Sequence, residues 1–176
     1  MEFINKKVFI SILTILILLS GCLYGQRVQG VSGIEYTLLE IKKDNSDAIH
    51  LEDAQGTLIQ KFGTPTSSKP YYYEMDEIMA KKIEYGNNEF YESSNGFDAF
   101  FIRSNTFQLG INNKFIMVGD NINEVSRMYV DADRYKSGAA FYIPLIYQNE
   151  KLDGVFLVIY FNPETYEVTG MHIYES

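Results

Sequence analysis

The segment Val155-Phe156-Leu157-Val158-Ile159-Tyr160-Phe161 decides the fold class predicted for this chain. Its residues are all apolar or aromatic, and most are of the β-branched or aromatic types that favour strands. Turn-forming residues stand on both sides, in 148–153 and in 162–165. Because both faces of such a strand would be apolar, the segment is predicted to lie in the middle of a sheet, where neither face is exposed to water.

Strand patterns continue outward from this segment. Residues 139–147 and 166–174 flank it as further strands. Upstream, 82–85 alternates between polar and apolar residues, Gly86-Asn87-Asn88 is a turn sequence, and 89–91 returns to strand-forming residues. That combination predicts a β-hairpin. The remaining strand candidates are 71–73, 97–103 and 106–109.

Two short helices are predicted between the strands. The first covers 50–62 and is closed by Gly63-Thr64-Pro65, and the second covers 121–129 with Asp120 or Asn121 as its cap. Their apolar stripes have helical spacing and consist of Leu51, Ala54, Leu58, Ile59 and Phe62 in the first and Ile122, Val125, Met128 and Tyr129 in the second. The period of 34–41 fits either a strand or a short helix.

The order of these elements predicts an α+β fold with short helices packed on an antiparallel sheet. A helix followed by strands occurs twice, so we expect two repeated units, 34–110 and 111–176, within one compact domain.

The amino terminus has the pattern of an export signal. Lys6 and Lys7 precede the apolar run 8–19, whose length suits a signal-peptide core rather than a membrane-spanning helix. Leu19-Ser20-Gly21-Cys22 follows and resembles the bacterial lipobox, in which the cysteine is acylated, palmitate being a typical acyl group, and becomes the new amino terminus. We therefore predict a lipoprotein signal peptide over 1–21, lipidation of Cys22 and a flexible tether over 22–33. The alternatives are an uncleaved anchor helix or an ordinary secretory peptide with a chance cysteine.

This signal predicts a location in the bacterial cell envelope. The lipid on Cys22 would hold the protein on the outer membrane facing the periplasm, or on the outer leaflet of the cell membrane. Cys22 is the single cysteine, so the exported domain has no disulfide and no free thiol for catalysis or for zinc. The formal net charge of −8 argues against nucleic acid as a partner.

Two short motifs carry a family resemblance. Phe62-Gly63-Thr64-Pro65 at a helix end, and 118–125 at a helix start, resemble the small lipoproteins of the outer-membrane assembly machinery and the related β-lactamase-inhibitor-like fold. The resemblance implies tandem helix-plus-sheet units and a binding protein rather than an enzyme. The chain departs from the inhibitor proteins because it lacks their two disulfides.

No catalytic, cofactor or metal site is predicted from the sequence. His50 and His172 are the two histidines, and neither has a partner at metal-ligand spacing. Asp131-Ala132-Asp133 lacks the other ligand positions of a calcium loop. The motifs of nucleophilic hydrolases and of phosphate-binding loops are absent.

The aromatic composition is the one positive indication of a binding surface. The chain has 14 Tyr, 12 Phe and no Trp, and Tyr71, Tyr72 and Tyr73 are consecutive, so in a strand at least one of them is exposed. We therefore predict a non-catalytic binding or envelope-assembly lipoprotein with a protein partner. The alternative is an envelope hydrolase with an unidentified carboxylate site.

Overall fold

A computed structural model of the chain describes residues 32–44, 46–73 and 77–175. The predicted signal peptide, Cys22 and the tether up to residue 31 lie outside these ranges, so the lipoprotein assignment stays a prediction. Within the described ranges, no helix is long and apolar enough to cross a membrane.

The described residues form thirteen strands, two short α-helices and two 3-10 turns. The 3-10 turns are Tyr36–Leu38 and Ala132–Tyr135, and the helices are α1 (Thr57–Phe62) and α2 (Asn123–Met128). In chain order the strands are β1 (Ile34–Glu35), β2 (Leu39–Lys43), β3 (Ile49–His50), β4 (Ser67–Tyr73), β5 (Ile78–Tyr85), β6 (Asn88–Ser93), β7 (Gly96–Ile102), β8 (Phe107–Ile111), β9 (Lys114–Met117), β10 (Lys136–Ser137), β11 (Ala140–Tyr147), β12 (Glu150–Phe161) and β13 (Val168–Glu175).

The strands build two sheets. The large sheet has the order β1-β11-β12-β13-β7-β6-β5-β4, with β10 added to β11, and the small sheet has the order β3-β2-β8-β9. Every neighbouring pair is antiparallel except β1 and β11, which run parallel. As the sequence predicts, the strand holding 155–161, β12, lies in the interior of its sheet, between β11 and β13.

One hydrophobic core joins both sheets and the two helices. We call the face of the large sheet that contributes to this core the inner face and the opposite side the outer face. The largest fully buried side chains are aromatic and are Phe90, Phe97, Phe100, Phe107 and Phe141. Because the chain has no disulfide, the domain depends on burial of this core for its stability.

The α+β prediction is wrong: the fold is predominantly β. The structure is 55% strand and 14% helical, and each α-helix has only six residues. Strands precede both helices, because β1, β2 and β3 come before α1 and β9 comes before α2. Helices this short cannot form a layer of their own. The small sheet supplies most of the second layer instead.

Long-range hydrogen bonds explain why α1 begins at Thr57 rather than near residue 50. His50 belongs to β3, and the Glu52 amide donates to the Phe97 carbonyl while the Phe97 amide donates to the Asp53 carbonyl. Gly56 then takes a left-handed φ of 91° immediately before the helix. Pairing with β7 therefore overrides the local helical pattern of 50–56.

Three further local predictions concern the second helix, the segment 34–41 and the hairpin at Gly86. The helix predicted over 121–129 is present as α2, and the Asn123 amide donates to the Asn121 side chain at its start. The ambiguous segment 34–41 contains both structures, because β1, a 3-10 turn and the beginning of β2 follow one another there. The hairpin predicted around Gly86 is confirmed as β5 and β6.

Candidate binding surface

The three consecutive tyrosines lie on β4, the last strand of the large sheet among the described residues. Tyr71 is 39% exposed and Tyr72 is 48% exposed, while Tyr73 is partly buried. The expectation that at least one of them is exposed is confirmed. Pro70 precedes them, and proline within a sheet is tolerated on an edge strand of this kind.

Strand alternation divides the tyrosines between the two faces of the sheet. Ser68 pairs with the buried core residue Ile83, so Tyr72, four residues further on, also points to the inner side. Tyr71 and Tyr73 point to the outer face. There their rings meet Tyr91 of β6, with centroid distances of 5.1 Å between Tyr71 and Tyr73 and 5.0 Å between Tyr71 and Tyr91.

This edge-to-face packing holds Tyr71 in a fixed orientation. Both of its ring contacts are T-shaped, the favourable geometry for aromatic pairs. A side chain that is already ordered loses little conformational entropy when a partner binds. Tyr71 is therefore a pre-organised aromatic group with more than a third of its surface open to solvent.

A charged network adjoins the rings on the outer face. The Tyr91 hydroxyl donates to Glu89 at 2.8 Å, and Arg103 and Lys82 contact the same carboxylate at 2.8 and 3.1 Å. Partial burial opposes ionisation of Glu89, but the hydrogen bonds from Arg103, Tyr91 and Lys82 outweigh it and lower the pKa of Glu89 to about 2. Glu89 is thus a fixed negative charge that holds two cations and a tyrosine in place.

The contacts continue from Arg103 across the middle of the sheet. Its guanidinium lies 3.7 Å from the ring centre of Phe101, and that ring meets His172 edge to face at 4.6 Å. His172 in turn lies 3.3 Å from the Tyr160 hydroxyl. We name the whole series, from β4 to β12, the outer-face stripe, and it comprises Tyr71, Tyr73, Tyr91, Glu89, Arg103, Phe101, His172 and Tyr160.

His172 is a structural member of this stripe. Its alternation with Met171 and Ile173 correctly predicts that it points away from the core, since Met171 is fully buried and His172 pairs with Phe101 on the outer face. Burial, assisted by the charge of Arg103, lowers the pKa of His172 from 6.5 to about 4. The imidazole is therefore neutral near pH 7.

The lowered pKa of His172 predicts a pH-dependent stability. As the pH falls from 6.5 towards 4, the unfolded chain takes up a proton at this residue before the folded chain does, so unfolding becomes easier. We expect a loss on the order of 1–2 kcal/mol across this window, removed by His172→Gln. Urea unfolding at several pH values measures it. His50→Gln, at the exposed histidine of β3, is the control, and an unchanged pH slope in His172→Gln would contradict the assignment.

The β4–β5 hairpin extends beyond its neighbours in the sheet. The pairing of β5 with β6 ends at Lys81, whereas its pairing with β4 continues to Ile78. Within the described residues, 71–73 and 78–80 therefore form a two-stranded ribbon, which we name the hairpin arm. On its inner side Tyr72 pairs with Met79, and Met79 is 60% exposed, so the core does not reach this part of the hairpin.

Asp98 is a partly buried carboxyl group that does not line the pocket beside the β5–β6 turn. Asp98 has a raised pKa because it is partly buried and lies near Glu52, although hydrogen bonds from Ser93 oppose the shift. A pocket of about 400 Å³ lies beside the β5–β6 turn, and neither Asp98 nor any other acidic residue lines it. The geometry separates the raised-pKa carboxyl from this pocket.

Asp131 and Asp133, the aspartates of the incomplete calcium-loop pattern, lie beside and within the second 3-10 turn. In the described part of the chain, no three His, Cys, Asp or Glu side chains are grouped as metal ligands. Asp131 pairs with Arg134 at 3.3 Å, and Asp133 accepts a hydrogen bond from Ser126. These two aspartates therefore have structural partners in and around the 3-10 turn.

Most of the outer-face stripe was not identified from the sequence. Period-2 alternation places Glu89 and Tyr91 on one face of β6, and this signal was available in the sequence. The side chains that contact these residues could not be predicted from the sequence, because Arg103 and His172 come from distant parts of the chain.

Comparison with known protein families, with curated proteins and with solved structures finds no match to this chain. The class of protein is therefore described from its own fold and surface. It is a predominantly β domain with an aromatic outer face and a projecting hairpin arm.

Proposed function

We propose that this protein is a membrane-anchored lipoprotein of the bacterial cell envelope that binds a protein partner through the hairpin arm and the adjoining end of the outer-face stripe, without catalysis. The observation that carries the proposal is the exposure of large side chains on both faces of the arm. Tyr71 is open on the outer side, and Tyr72 and Met79 are open on the inner side.

Exposed side chains of these types are characteristic of protein interfaces. Tyrosine is enriched among the residues that dominate binding energy, and methionine adapts its shape to apolar partners. Single exposed apolar residues are ordinary, but here three of them lie on one short ribbon. A partner that clasps the arm would bury all three together.

The charges near the arm favour a protein over lipid or nucleic acid. Lys82 pairs with Glu84 and Glu89, and Arg103 pairs with Glu89, so these two cations already have carboxylates beside them. The chain as a whole is acidic, with a formal charge of −8. An anionic surface would be repelled, whereas a protein groove with apolar walls would not.

An envelope hydrolase is the second candidate, and the raised pKa of Asp98 favours it. The test is direct: purified protein is assayed against envelope polymers, and hydrolysis that disappears in Asp98→Asn would replace the binding proposal.

Partner capture tests the binding proposal. Photo-crosslinking from position 71 in intact cells identifies the partner, and its affinity is then measured with purified proteins. We expect Tyr71→Ala and Tyr72→Ala each to weaken binding by about 1–2 kcal/mol, or roughly tenfold, because both truncate an exposed aromatic anchor. The stability of the domain should change little.

Tyr142→Ala is the matched control for this experiment. Tyr142 is 40% exposed, also lies on a strand of the large sheet, and belongs to β11, far from the arm in the strand order. Equal loss of binding in Tyr142→Ala would show that the arm is not the interface, and unfolding of Tyr71→Ala would show that this ring supports the core instead.

A further inference from the structure

β4 forms the longest open edge of a sheet among the described residues. It has seven residues, whereas the other edge strands, β1, β3, β9 and β10, have two to four. Its central positions, 68–72, are all exposed. An edge strand presents backbone N–H and C=O groups that can pair with a strand of another molecule, and the tyrosines of β4 are strong strand formers. An arm that keeps these side chains open for a partner is therefore also exposed to pairing with a second copy of this chain.

The register of the β4–β5 hairpin determines which backbone groups of β4 face outward. Tyr85 and Asn88 close the two-residue turn between β5 and β6, so their backbone groups bond to each other. The preceding residue of β5, Glu84, directs its groups to the other side, where its carbonyl accepts from the Thr66 amide at 2.8 Å. Alternation along the register then divides β4 into two sets. The residues that bond to β5 are Ser67, Lys69 and Tyr71, and those whose backbone groups face away from the sheet are Ser68, Pro70 and Tyr72.

Pro70 occupies the middle of the outward set. Proline has no N–H, and its ring fills the space into which that hydrogen would point. A strand that approached β4 would lose a ladder hydrogen bond and meet the ring. At position 69 or 71 a proline would instead remove a bond to β5, so position 70 obstructs the edge without weakening the hairpin. The adjacent Lys69 side chain is 57% exposed and places a charge at the same edge.

We propose that Pro70 determines how the hairpin arm binds: it closes the β4 edge to strand addition, keeps the chain from pairing with its own copies, and leaves contact to the side chains on the two faces of the arm. The use of the two faces rests on the proposed function, whereas closure of the edge does not. The partner that fits is a cleft that holds Tyr71 on one side and Tyr72 with Met79 on the other, rather than a strand that extends the large sheet.

Substitution of Pro70 tests whether the edge is closed. Pro70→Thr restores the outward N–H and introduces a strand-forming residue, so we expect it to self-associate at least about tenfold more tightly than the wild type. Sedimentation equilibrium of the full chain in density-matched detergent measures this association. Ser68→Thr is the matched control, because it raises the strand propensity of the neighbouring outward position and retains Pro70. It should sediment as the wild type does.

Amide hydrogen exchange provides a second measurement. In the wild type the Tyr72 amide should exchange much faster than the Tyr71 amide, because only the Tyr71 amide bonds to β5. In Pro70→Thr the Tyr72 amide should become protected as the protein concentration rises. If Pro70→Thr fails to fold, Pro70→Ala takes its place, because alanine also restores the N–H.

Two results would overturn this proposal. One is a wild-type Tyr72 amide as protected as that of Tyr71, and the other is a folded Pro70 variant that remains as monomeric as the wild type. Loss of partner binding in Tyr71→Ala together with a monomeric Pro70→Thr would remove the role of Pro70 and leave the proposed function standing. Self-association of Pro70→Thr together with unchanged partner binding in Tyr71→Ala and Tyr72→Ala would do the reverse.

Discussion

Truncation of Phe100 to alanine is expected to lower the free energy of unfolding by about 3–5 kcal/mol. Phe100 is 1% exposed, pairs with the buried Phe90 on the neighbouring strand, and packs near Phe97 in the core that joins the two sheets. Removal of its ring leaves a cavity in a domain without disulfides to support it. Urea unfolding followed by circular dichroism measures the change.

The adjacent residue is a matched control for this prediction. Phe101 has the same chemistry and lies on the same strand, but its side chain points to the outer face, where it contacts Arg103 and His172. Phe101→Ala should cost only about 1 kcal/mol, because less apolar surface is buried there. Equal losses in the two variants would contradict the assignment of the inner and outer faces.

Replacement of Cys22 by alanine is expected to abolish lipid attachment completely. The predicted acylation needs the sulfur of Cys22, and alanine offers no atom to replace it. The wild-type protein should incorporate labelled palmitate and fractionate with membranes. Cys22→Ala should incorporate none, and should either remain unprocessed or be released.

Ser11→Ala is the control for lipidation, because it alters the apolar run of the signal and leaves Leu19-Ser20-Gly21-Cys22 intact. It should be labelled as the wild type is. A wild-type protein that takes up no label, together with a Cys22→Ala variant that remains on the membrane, would refute the lipoprotein assignment and with it the proposed location.

Local pattern determined a substantial part of this structure. The apolar run 155–161 lies in a central strand, the hairpin turns at Gly86 and Asn87, and α2 forms where a capped apolar stripe begins. These features depend on residues close together in the chain, so periodicity and turn chemistry suffice to predict them. The exposure of the tyrosines followed from alternation for the same reason.

Tertiary structure decided the rest. The segment 50–56 has a helical stripe but forms long-range hydrogen bonds with Phe97 instead of a helix, which leaves α1 with only six residues. With helices this short, the domain is predominantly β. The outer-face stripe requires β13 to pair with β7, which brings His172 beside Phe101 from about seventy residues away. The pocket beside the β5–β6 turn likewise needs four separate segments to meet. Such contacts depend on which strands become neighbours. That choice is set by the free energy of burial and hydrogen bonding across the whole sheet, which the pattern of a single segment does not contain.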